Sequence, residues 1–458
     1  MSNKIDRREF LKTVGAASAT LAAGSLAAKS GAENPVPAPQ GRSVAGFRAP
    51  KLDKVRAAFI GVGARGGRHV SQMLLMEGVE ITAICDTHEP TCARSVKRCV
   101  DKGRPAPTAY TGGRDAYKEM LDRDDIDMVI IATPWEDHVR MCVDAMNRGK
   151  HAFTEVPAAY TIEDCWKLVD TAEKTQRHCM MMENVNYGRE ELMVLNMCRQ
   201  NVFGELLHGE AAYIHDLRGQ MNEIERGTGS WRTTHYTKRN GNLYPTHGLG
   251  PVAQYMNINR GDRLDYMSSV SCPSRSRALY AEKNFPVDNI RRKQRFVCGD
   301  LNTSIAKTIM GKTLMIQWDE QLPRPYTRHN LIQGTKGAWT GFEDRTAIEG
   351  VTKGTDSWTQ GDDLKAVYEA YDHPLWKRVG DEAVKAGGHG GMDFVMLWRI
   401  VYCLRNGDPL DQDVYDAATW SAVGPLSEAS VADRGRSMDF PDFTRGKWKS
   451  MDPLGIVS

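Results

Sequence analysis

The stretch Val55-Arg56-Ala57-Ala58-Phe59-Ile60-Gly61-Val62-Gly63-Ala64-Arg65-Gly66-Gly67 decides the fold of this chain. Its first half is a mostly apolar run that predicts a buried β-strand, and its second half contains Gly-x-Gly-x-x-Gly at Gly61, Gly63 and Gly66. Residues 65–77 follow with a helical period. Glycines between a strand and a helix let backbone N–H groups approach a pyrophosphate at the helix N-terminus. Because glycine-rich turns are common, this interpretation needs support from the rest of the chain.

Strand–helix alternation continues to about residue 183. It predicts further strands at 79–85, 126–132, 151–154 and 179–182, and helices at 89–102, 136–148 and 161–175. This order indicates a doubly wound parallel sheet with right-handed crossovers, a Rossmann-type α/β domain over residues 54–185.

The pattern changes after this domain. Longer alternating segments at 206–214, 295–309, 314–318 and 330–342 indicate a mostly antiparallel sheet with one solvent-facing side. We therefore predict an α+β domain over residues 186–458. A helical period returns at 392–403, and we expect that helix to pack near the domain junction.

The residue that follows the second predicted strand supports a dinucleotide. Asp86 lies about 20 residues past the last glycine of the motif, where an acidic side chain hydrogen-bonds the adenosine ribose. A carboxylate there repels a 2′-phosphate, so NAD is favoured over NADP. The alternative is that Asp86 only caps the following helix.

Two further strand ends carry polar residues at the edge where ligands bind in open α/β sheets. Thr133-Pro134-Trp135-Glu136-Asp137-His138 follows one strand, and Glu155-Val156-Pro157 follows another. We expect both segments to face the nicotinamide half of the cofactor. A lone His138 is more often a helix-start residue and a lone Trp135 a core residue, but their joint position favours binding.

The N-terminus has the layout of an export signal. Arg7-Arg8-Glu9-Phe10-Leu11-Lys12 precedes a mildly apolar run rich in Ala, Gly and Ser, and a Pro-rich stretch follows. This predicts a twin-arginine signal peptide over residues 1–32, a linker over 33–53, and folded export to the periplasm or the exterior. Asp6 stands where Ser or Thr often precedes the pair, and the alternative is a tail that stays attached. Export machinery that carries folded proteins suits a chain that acquires its cofactor in the cytoplasm.

Composition narrows the class of partner. The formal net charge is only +2 in 458 residues, which offers no global field for nucleic acid or an anionic membrane. No later stretch approaches the roughly 20 apolar residues of a membrane span. The ten cysteines are scattered without a CxxC pair, so we expect mostly buried, reduced thiols and no metal site. A small, nearly neutral molecule is the expected partner, and a homo-oligomer stays open.

These motifs resemble the glucose–fructose oxidoreductase and inositol dehydrogenase (Gfo/Idh/MocA) superfamily. In that superfamily the middle residue of Glu-x-Pro is usually a catalytic lysine, and here it is Val156. Longer strings resemble glycoside hydrolase family 109, among them Glu155-Val156-Pro157-Ala158-Ala159, Met180-Met181-Met182-Glu183-Asn184, Tyr244-Pro245-Thr246-His247-Gly248 and Gly388-His389-Gly390-Gly391. The resemblance runs from about Lys54 to the C-terminus and includes the leader. It implies an NAD-dependent glycosidase acting on terminal, α-linked N-acetylgalactosamine.

The resemblance also implies site residues by position. It places NAD contacts at Ala64, Arg65, Asp86, Trp135, Glu136, Asp137, His138, Glu155, Val156, Asn184 and Tyr244. It places sugar contacts at Tyr213, Arg232, Tyr244, Pro245, Thr246, His247 and Tyr326. At Asp137 we expect the backbone, rather than the carboxylate, to make the contact.

The chemistry that the resemblance implies is a redox route to glycosidic cleavage. Ordinary glycosidases use two carboxylates, and no such pair stands out here. In the redox route C3 of the sugar is oxidised by NAD, the C2 proton becomes acidic, the aglycone is eliminated, water adds and C3 is reduced again. NAD is regenerated at the end of each turnover.

The resemblance suggests catalytic residues for this route. We expect His247 to transfer the proton of the C3 hydroxyl, with Tyr244 orienting it. Tyr187 and Tyr326 are candidates for deprotonating C2 and for protonating the leaving oxygen, although a tyrosine needs activation to act as a base. The sequence does not divide these roles. Arg232 and Tyr213 are expected to hold N-acetyl or hydroxyl groups. We leave His389 out of the predicted catalytic residues, because the glycines on both sides of it can simply permit close approach of the backbone.

Three alternatives remain open on the residues alone. The Tyr-Pro-Thr-His string can be a simple helix start, with Pro245 setting the turn and Thr246 as the cap. An NAD-dependent sugar dehydrogenase or transhydrogenase would share every cofactor residue. A periplasmic binding or sensing protein could keep the dinucleotide domain without catalysis.

Overall fold

The first sheet is built from six strands. They are β1 (Val55–Ile60), β2 (Val79–Cys85), β3 (Thr108–Tyr110), β4 (Met128–Ile131), β5 (His151–Thr154) and β6 (Cys179–Met181). In the computed structural model, which describes residues 36–453, their order is β3-β2-β1-β4-β5-β6 and every neighbouring pair is parallel. The predicted Rossmann-type sheet is thereby confirmed. The order reverses between β1 and β4, and ligands bind at this point in such sheets.

The helices of this part of the chain flank the sheet. They are α1 (Ala64–Met73), α2 (Glu89–Asp101), α3 (Ala116–Leu121), α4 (Trp135–Asn147) and α5 (Ile162–Thr175). The sequence pattern missed β3 and α3. Residues of β3 are exposed or half-buried because this strand forms the sheet edge, so it has no apolar run to detect.

The second sheet has nine strands. They are β7 (Leu206–Ile214), β8 (Leu264–Ser271), β9 (Asn302–Thr308), β10 (Thr313–Asp319), β11 (Leu331–Gly334), β12 (Gly337–Thr340), β13 (Arg345–Ile348), β14 (Thr359–Gln360) and β15 (Met438–Asp439). Their order is β14-β13-β12-β11-β7-β10-β9-β8-β15, and all pairs are antiparallel except β7 with β10. This confirms the mostly antiparallel sheet. The predicted segment 330–342 is a hairpin of β11 and β12, and the segment 295–309 is a strand only from Asn302.

Helices of the second half follow in chain order. They are α6 (Arg189–Arg199), α7 (Thr228–Tyr236), α8 (Thr246–Tyr255), α9 (Ser276–Asn284), α10 (Ile290–Lys293), α11 (Lys365–Tyr371), α12 (Pro374–Ala386), α13 (Met392–Asn406) and α14 (Val414–Ala432). The last two return to the first sheet. Ser421 of α14 accepts a hydrogen bond from the backbone of Ala158, and Asp393 of α13 receives one from Asn184. The helix expected near the domain junction therefore lies there.

Residues 36–53, the described part of the predicted linker, pack against the body of the protein. Val44 and Ala49 are buried. The hydroxyl of Tyr415 on α14 lies 2.9 Å from Ser43 Oγ and accepts a hydrogen bond from the backbone of Val44. The predicted signal peptide (1–32) and residues 33–35 lie outside the described residues, as do 454–458.

Two sequence expectations concern the whole chain. All ten cysteines are free thiols, and most of them are buried, with Cys272 exposed. Within residues 36–453, no helix combines the length and apolar character needed to cross a membrane.

Candidate functional site

A cavity of about 830 Å³ opens along the carboxyl ends of β1, β2, β4 and β5. It continues past Asn184 to the end of β7 and to helices α7 and α8 of the second half. Most of the predicted site residues line it, namely Gly61, Gly63, Ala64, Arg65, Asp86, Trp135, Glu136, Asp137, His138, Glu155, Val156, Asn184, Tyr213, Arg232, Tyr244 and His247. One continuous space thus joins the predicted cofactor and sugar residues.

Each of the three glycines of the first turn is suited to its position for a different physical reason. Gly61 has φ +80°, and a Cβ there would lie 2.7 Å from the carbonyl oxygen of Ala132. A Cβ on Gly66 would overlap the carbonyl oxygen of Gly61, so this glycine lets α1 approach β1. A Cβ on Gly63 would meet no protein atom and would point into open space. The turn therefore has the open cradle that a pyrophosphate at the N-terminus of α1 requires.

Asp86 connects this turn to the next one. Its carboxylate accepts hydrogen bonds from the backbone N–H of Val62 (2.9 Å) and of His88 (2.8 Å), and it lines the cavity. Helix α2 begins at Glu89 with His88 at its N-cap and without a side-chain capping bond. Asp86 therefore does not cap α2, and its position fits a ribose at the adenosine end of a dinucleotide.

A buried network of charges lies beside the glycine turn. Arg65 donates to Glu155 (2.8 Å) and to Asp393 (2.7 Å), and His69 donates to the same oxygen of Glu155 (2.6 Å). Burial opposes the charge on Glu155, but Arg65 and His69 outweigh it and lower the pKa of this carboxyl to about 2. Burial likewise opposes the charge on Asp393, but His389 and Arg65 lower its pKa. Both carboxylates are therefore charged at neutral pH.

The first turn of α4 brings four predicted residues to the cavity. His138 lies between two strand ends, 2.8 Å from the carbonyl oxygen of Pro157 and 2.9 Å from that of Thr133. Burial lowers the pKa of His138. The carboxylate of Asp137 is occupied by Arg114 at 2.7 Å, which agrees with a contact through its backbone.

The far end of the cavity is aromatic. Tyr244 stacks on Trp135 with ring centroids 6.0 Å apart and packs against Tyr213 at 4.8 Å. The guanidinium of Arg232 lies 5.0 Å from the centroid of the Tyr244 ring and donates to Glu320 at 3.1 Å. Burial raises the pKa of Tyr244 well above its usual range, although Arg232 partly opposes this. The phenol keeps its proton at neutral pH and can act as a hydrogen-bond donor.

His247 stands in the first turn of α8 and is paired with a carboxylate. Its Nδ1 lies 2.6 Å from Glu183 Oε1, and its Nε2 lies 3.4 Å from the hydroxyl of Tyr244. Two glycines allow this placement. A Cβ on Gly248 would overlap the backbone of Ala212 on β7, and a Cβ on Gly250 would lie 2.9 Å from Glu183 Cγ.

A second imidazole–carboxylate pair, His389 with Asp393, belongs to the charge network around Arg65. His389 lines the cavity, its side chain is about half exposed (53%), and its Nδ1 lies 2.8 Å from Asp393 Oδ2. It belongs to a run of five residues with positive φ, from Gly387 to Gly391. His247 and His389 are each paired with a carboxylate, whereas the cavity-lining His138 and His215 are not. The Nδ1 of His215 is 3.1 Å from the hydroxyl of Tyr213, and burial lowers its pKa.

Five predicted site residues are absent from the cavity wall. Gly66 acts through packing, as described above. Thr246 is buried and makes no capping bond, and Pro245 occupies the N-cap of α8. The helix-start interpretation of this string is thus half right, since the helix begins there but Thr246 does not cap it. Tyr326 stands at the rim, with its ring 5.9 Å from that of Tyr213.

Tyr187 is the clearest correction. Its side chain is buried, and its hydroxyl donates to Asp411, which forms an ion pair with Arg399. The phenol of Tyr187 therefore faces the core and not the cavity, which does not support the predicted catalytic position. Burial raises the pKa of Tyr326, with partial opposition from Arg328, so this phenol is a poor base too.

Sequence reasoning missed three residues that bear on the site. Glu183 and Asp393 each hold an imidazole, and Arg226 lines the cavity near Asp86. Glu183 and Arg226 lie far along the chain from their partners His247 and Asp86, whereas Asp393 follows His389 by only four residues. Two sequence signals were available: the position of Glu183 after β6, at the sheet edge where ligands bind, and the four-residue spacing of His389 and Asp393.

Comparisons with known proteins agree with this geometry. A family model described as an oxidoreductase family with an NAD-binding Rossmann fold matches residues 55–183, and one described as the C-terminal domain of glycosyl hydrolase 109 matches residues 187–450. A glycosyl hydrolase family 109 protein of Shewanella putrefaciens is 60% identical over 458 residues, which is 99% of each chain. One from Shewanella baltica is also 60% identical over the same length, again 99% of each chain.

Solved structures show the same architecture. Levoglucosan dehydrogenase in complex with NADH and levoglucosan has a TM-score of 0.63 at 17% identity, covering 85% of this chain and 100% of that one. An NAD-binding oxidoreductase from Klebsiella pneumoniae has a TM-score of 0.64 at 15% identity, covering 85% and 99%. At such identities these similarities concern the fold alone.

The two family matches divide the chain where the strand pattern changes. The first match, the open glycine turn and Asp86 together identify NAD as the cofactor of an enzyme. The second match and the full-length relatives identify the family of the whole chain. This chain belongs to glycosyl hydrolase family 109.

Proposed function

We propose that this enzyme releases terminal, α-linked N-acetylgalactosamine from glycosides and recycles its NAD in every turnover. The observation that carries the proposal is the His247–Glu183 pair in the wall of the space that also contains the cofactor residues. When bound, NAD supplies a reversible hydride acceptor for C3 of the sugar, which acidifies the C2 proton and lets the aglycone leave by elimination.

His247 is suited to move the proton of the C3 hydroxyl. Its Nδ1 is tied to a fully buried carboxylate, which fixes the ring and stabilises the imidazolium that forms when Nε2 accepts a proton. Tyr244, whose hydroxyl is 3.4 Å from Nε2, helps to orient the sugar hydroxyl as a donor.

His389 is suited to work on the leaving oxygen. Asp393 holds its Nδ1, and the half-exposed ring gives its other nitrogen access to the open part of the cavity. This assignment replaces Tyr187 and Tyr326, since one faces the core and burial raises the pKa of both phenols.

Arg232 and Tyr213 line the aromatic end and are suited to hold the N-acetyl or hydroxyl groups.

Val156 supports a hydrolase over a simple dehydrogenase. It places a buried apolar side chain in the cavity wall, where the related dehydrogenases usually carry a proton-transferring lysine.

We further propose export through the twin-arginine leader, on the strength of residues 7–12.

The direct test is a screen of chromogenic α- and β-hexosaminides with the purified protein loaded with NAD. We expect p-nitrophenol release from the α-N-acetylgalactosaminide without net formation of NADH, and exchange of a C2 deuterium with solvent during turnover. Steady NADH accumulation with a free sugar would indicate a dehydrogenase instead. Complete retention of deuterium at C2 in the released sugar would reject the elimination route.

The cofactor assignment predicts a selective defect in Asp86→Ala. Loss of hydrogen bonds from a charged group costs about 1.5–3 kcal/mol, so we expect roughly ten- to a hundredfold weaker NAD binding by calorimetry. Binding of N-acetylgalactosamine to the NAD-saturated variant should change far less. Asp86→Asn, which keeps one acceptor oxygen, serves as the milder control. An unchanged NAD affinity in Asp86→Ala would refute the ribose assignment.

A further inference from the structure

One segment of the second half runs along the whole length of the cavity. Residues 217–232, here called the strap, follow β7 and extend into the first half of α7. At its C-terminal end Trp231 and Arg232 line the sugar part of the cavity, and nearer its middle Glu225 and Arg226 line the adenosine part. The strap therefore reaches both halves of the cofactor site.

Arg226 joins the strap to the dinucleotide domain. Its Nη2 lies 3.4 Å from Asp86 Oδ1 and 3.1 Å from Thr91 Oγ1 on α2. The bridge therefore joins the strap to the cavity wall beside Asp86, the residue expected to hold the ribose. About half of the Arg226 side chain is exposed (47%), so the bridge is at the surface and can open without disturbing the core.

The strap is held in shape by other residues. Buried Arg291 donates to the carbonyl oxygens of Met221 (2.9 Å), Glu223 (2.6 Å) and Gly229 (3.2 Å). The carboxylate of Glu223 accepts from the backbone of Gly229 at 2.6 Å. Because the backbone on both sides of Arg226 is fixed, closing the bridge costs the ordering of one side chain and not of a loop.

We propose that Arg226 is a latch that retains NAD in the enzyme. Its bridge to Asp86 and Thr91 closes the adenosine end of the cavity and must open before the dinucleotide enters or leaves. Both partners of the bridge belong to the protein, so the latch acts on the rates of exchange more than on affinity. The proposal needs NAD binding but not the glycosidic reaction, and it stands if the substrate is a different sugar.

The test measures the release of radiolabelled NAD from the purified enzyme after addition of excess unlabelled NAD. An exposed ion pair contributes up to about 1 kcal/mol, so we expect Arg226→Ala to release NAD roughly two- to fivefold faster. NAD uptake should become faster as well, with little change in the dissociation constant. Release from the wild type should also accelerate with salt, and this salt effect should shrink in the variant.

Two further variants make the test specific. Thr91→Val removes one of the two contacts and leaves Asp86 intact, so its release rate should fall between those of the wild type and Arg226→Ala. Arg218→Ala removes an arginine of the same strap that pairs with Asp216 instead, and its release rate should match the wild type.

Three outcomes would overturn the latch. Release from Arg226→Ala could be as slow as from Arg218→Ala. The dissociation constant of Arg226→Ala could rise in proportion to its release rate, which would make Arg226 a direct cofactor contact. NADP binding could be lost while NAD retention is unchanged, which would assign Arg226 to a 2′-phosphate.

Discussion

Replacing His247 by alanine is expected to lower kcat by about two to four orders of magnitude, the range that positioned acid–base groups contribute. The imidazole lines the cavity, and its Nδ1 is fixed by a fully buried carboxylate, at 2.6 Å from Glu183 Oε1. Removing the ring removes the proton acceptor but little of the sugar-binding wall. We therefore expect KM to change much less than kcat.

The partner carboxylate offers the matching variant. Glu183→Gln keeps the size of the side chain but not the charge that stabilises the imidazolium, so its kcat should fall and its pH profile should shift. Tyr244→Phe, which removes only a hydroxyl 3.4 Å from Nε2, should retain more activity than either. Full activity in His247→Ala would reject the assignment. A wild type with no turnover on any glycoside, and with sugar affinity unchanged in His247→Ala, would favour a binding protein.

Much of the first domain could be predicted because its signals are local. Five strands have the predicted bounds or lie within one or two residues of them, since each is a short, mostly buried run. Asp86 could be placed because one strand end fixes it relative to the glycine turn. The edge strand β3 could not, since its residues face solvent and carry no apolar pattern.

The site could be predicted only in part, because its partners come together through the fold. Glu183 and His247 are 64 residues apart, and Arg65 and Asp393 are 328 apart, with no spacing that a sequence pattern could use. Tyr187 is the opposite case, a residue close in sequence to the site but turned away from it. It lies three residues from Asn184, which lines the cavity, but the 3-10 turn at Asn184–Tyr187 directs its phenol to the Arg399–Asp411 pair in the core.

Replacing His389 by asparagine is expected to have an effect that depends on the leaving group. An unactivated aglycone must receive a proton as it departs, whereas p-nitrophenolate is stable as an anion. We expect kcat/KM to fall by about 10²- to 10⁴-fold for a glycan or alkyl glycoside and by far less for the p-nitrophenyl glycoside.

The choice of asparagine separates chemistry from backbone strain. His389 has φ +49° within a run of positive φ, a conformation that asparagine adopts more readily than alanine. His389→Ala would therefore combine the loss of the ring with strain in the loop, and the difference between the two variants measures that strain. NAD content should stay normal in His389→Asn, because Asp393 keeps its bond to Arg65 at 2.7 Å. Equal losses on both kinds of substrate would mean that His389 does not protonate the leaving oxygen, and that its loop acts on a step common to every aglycone.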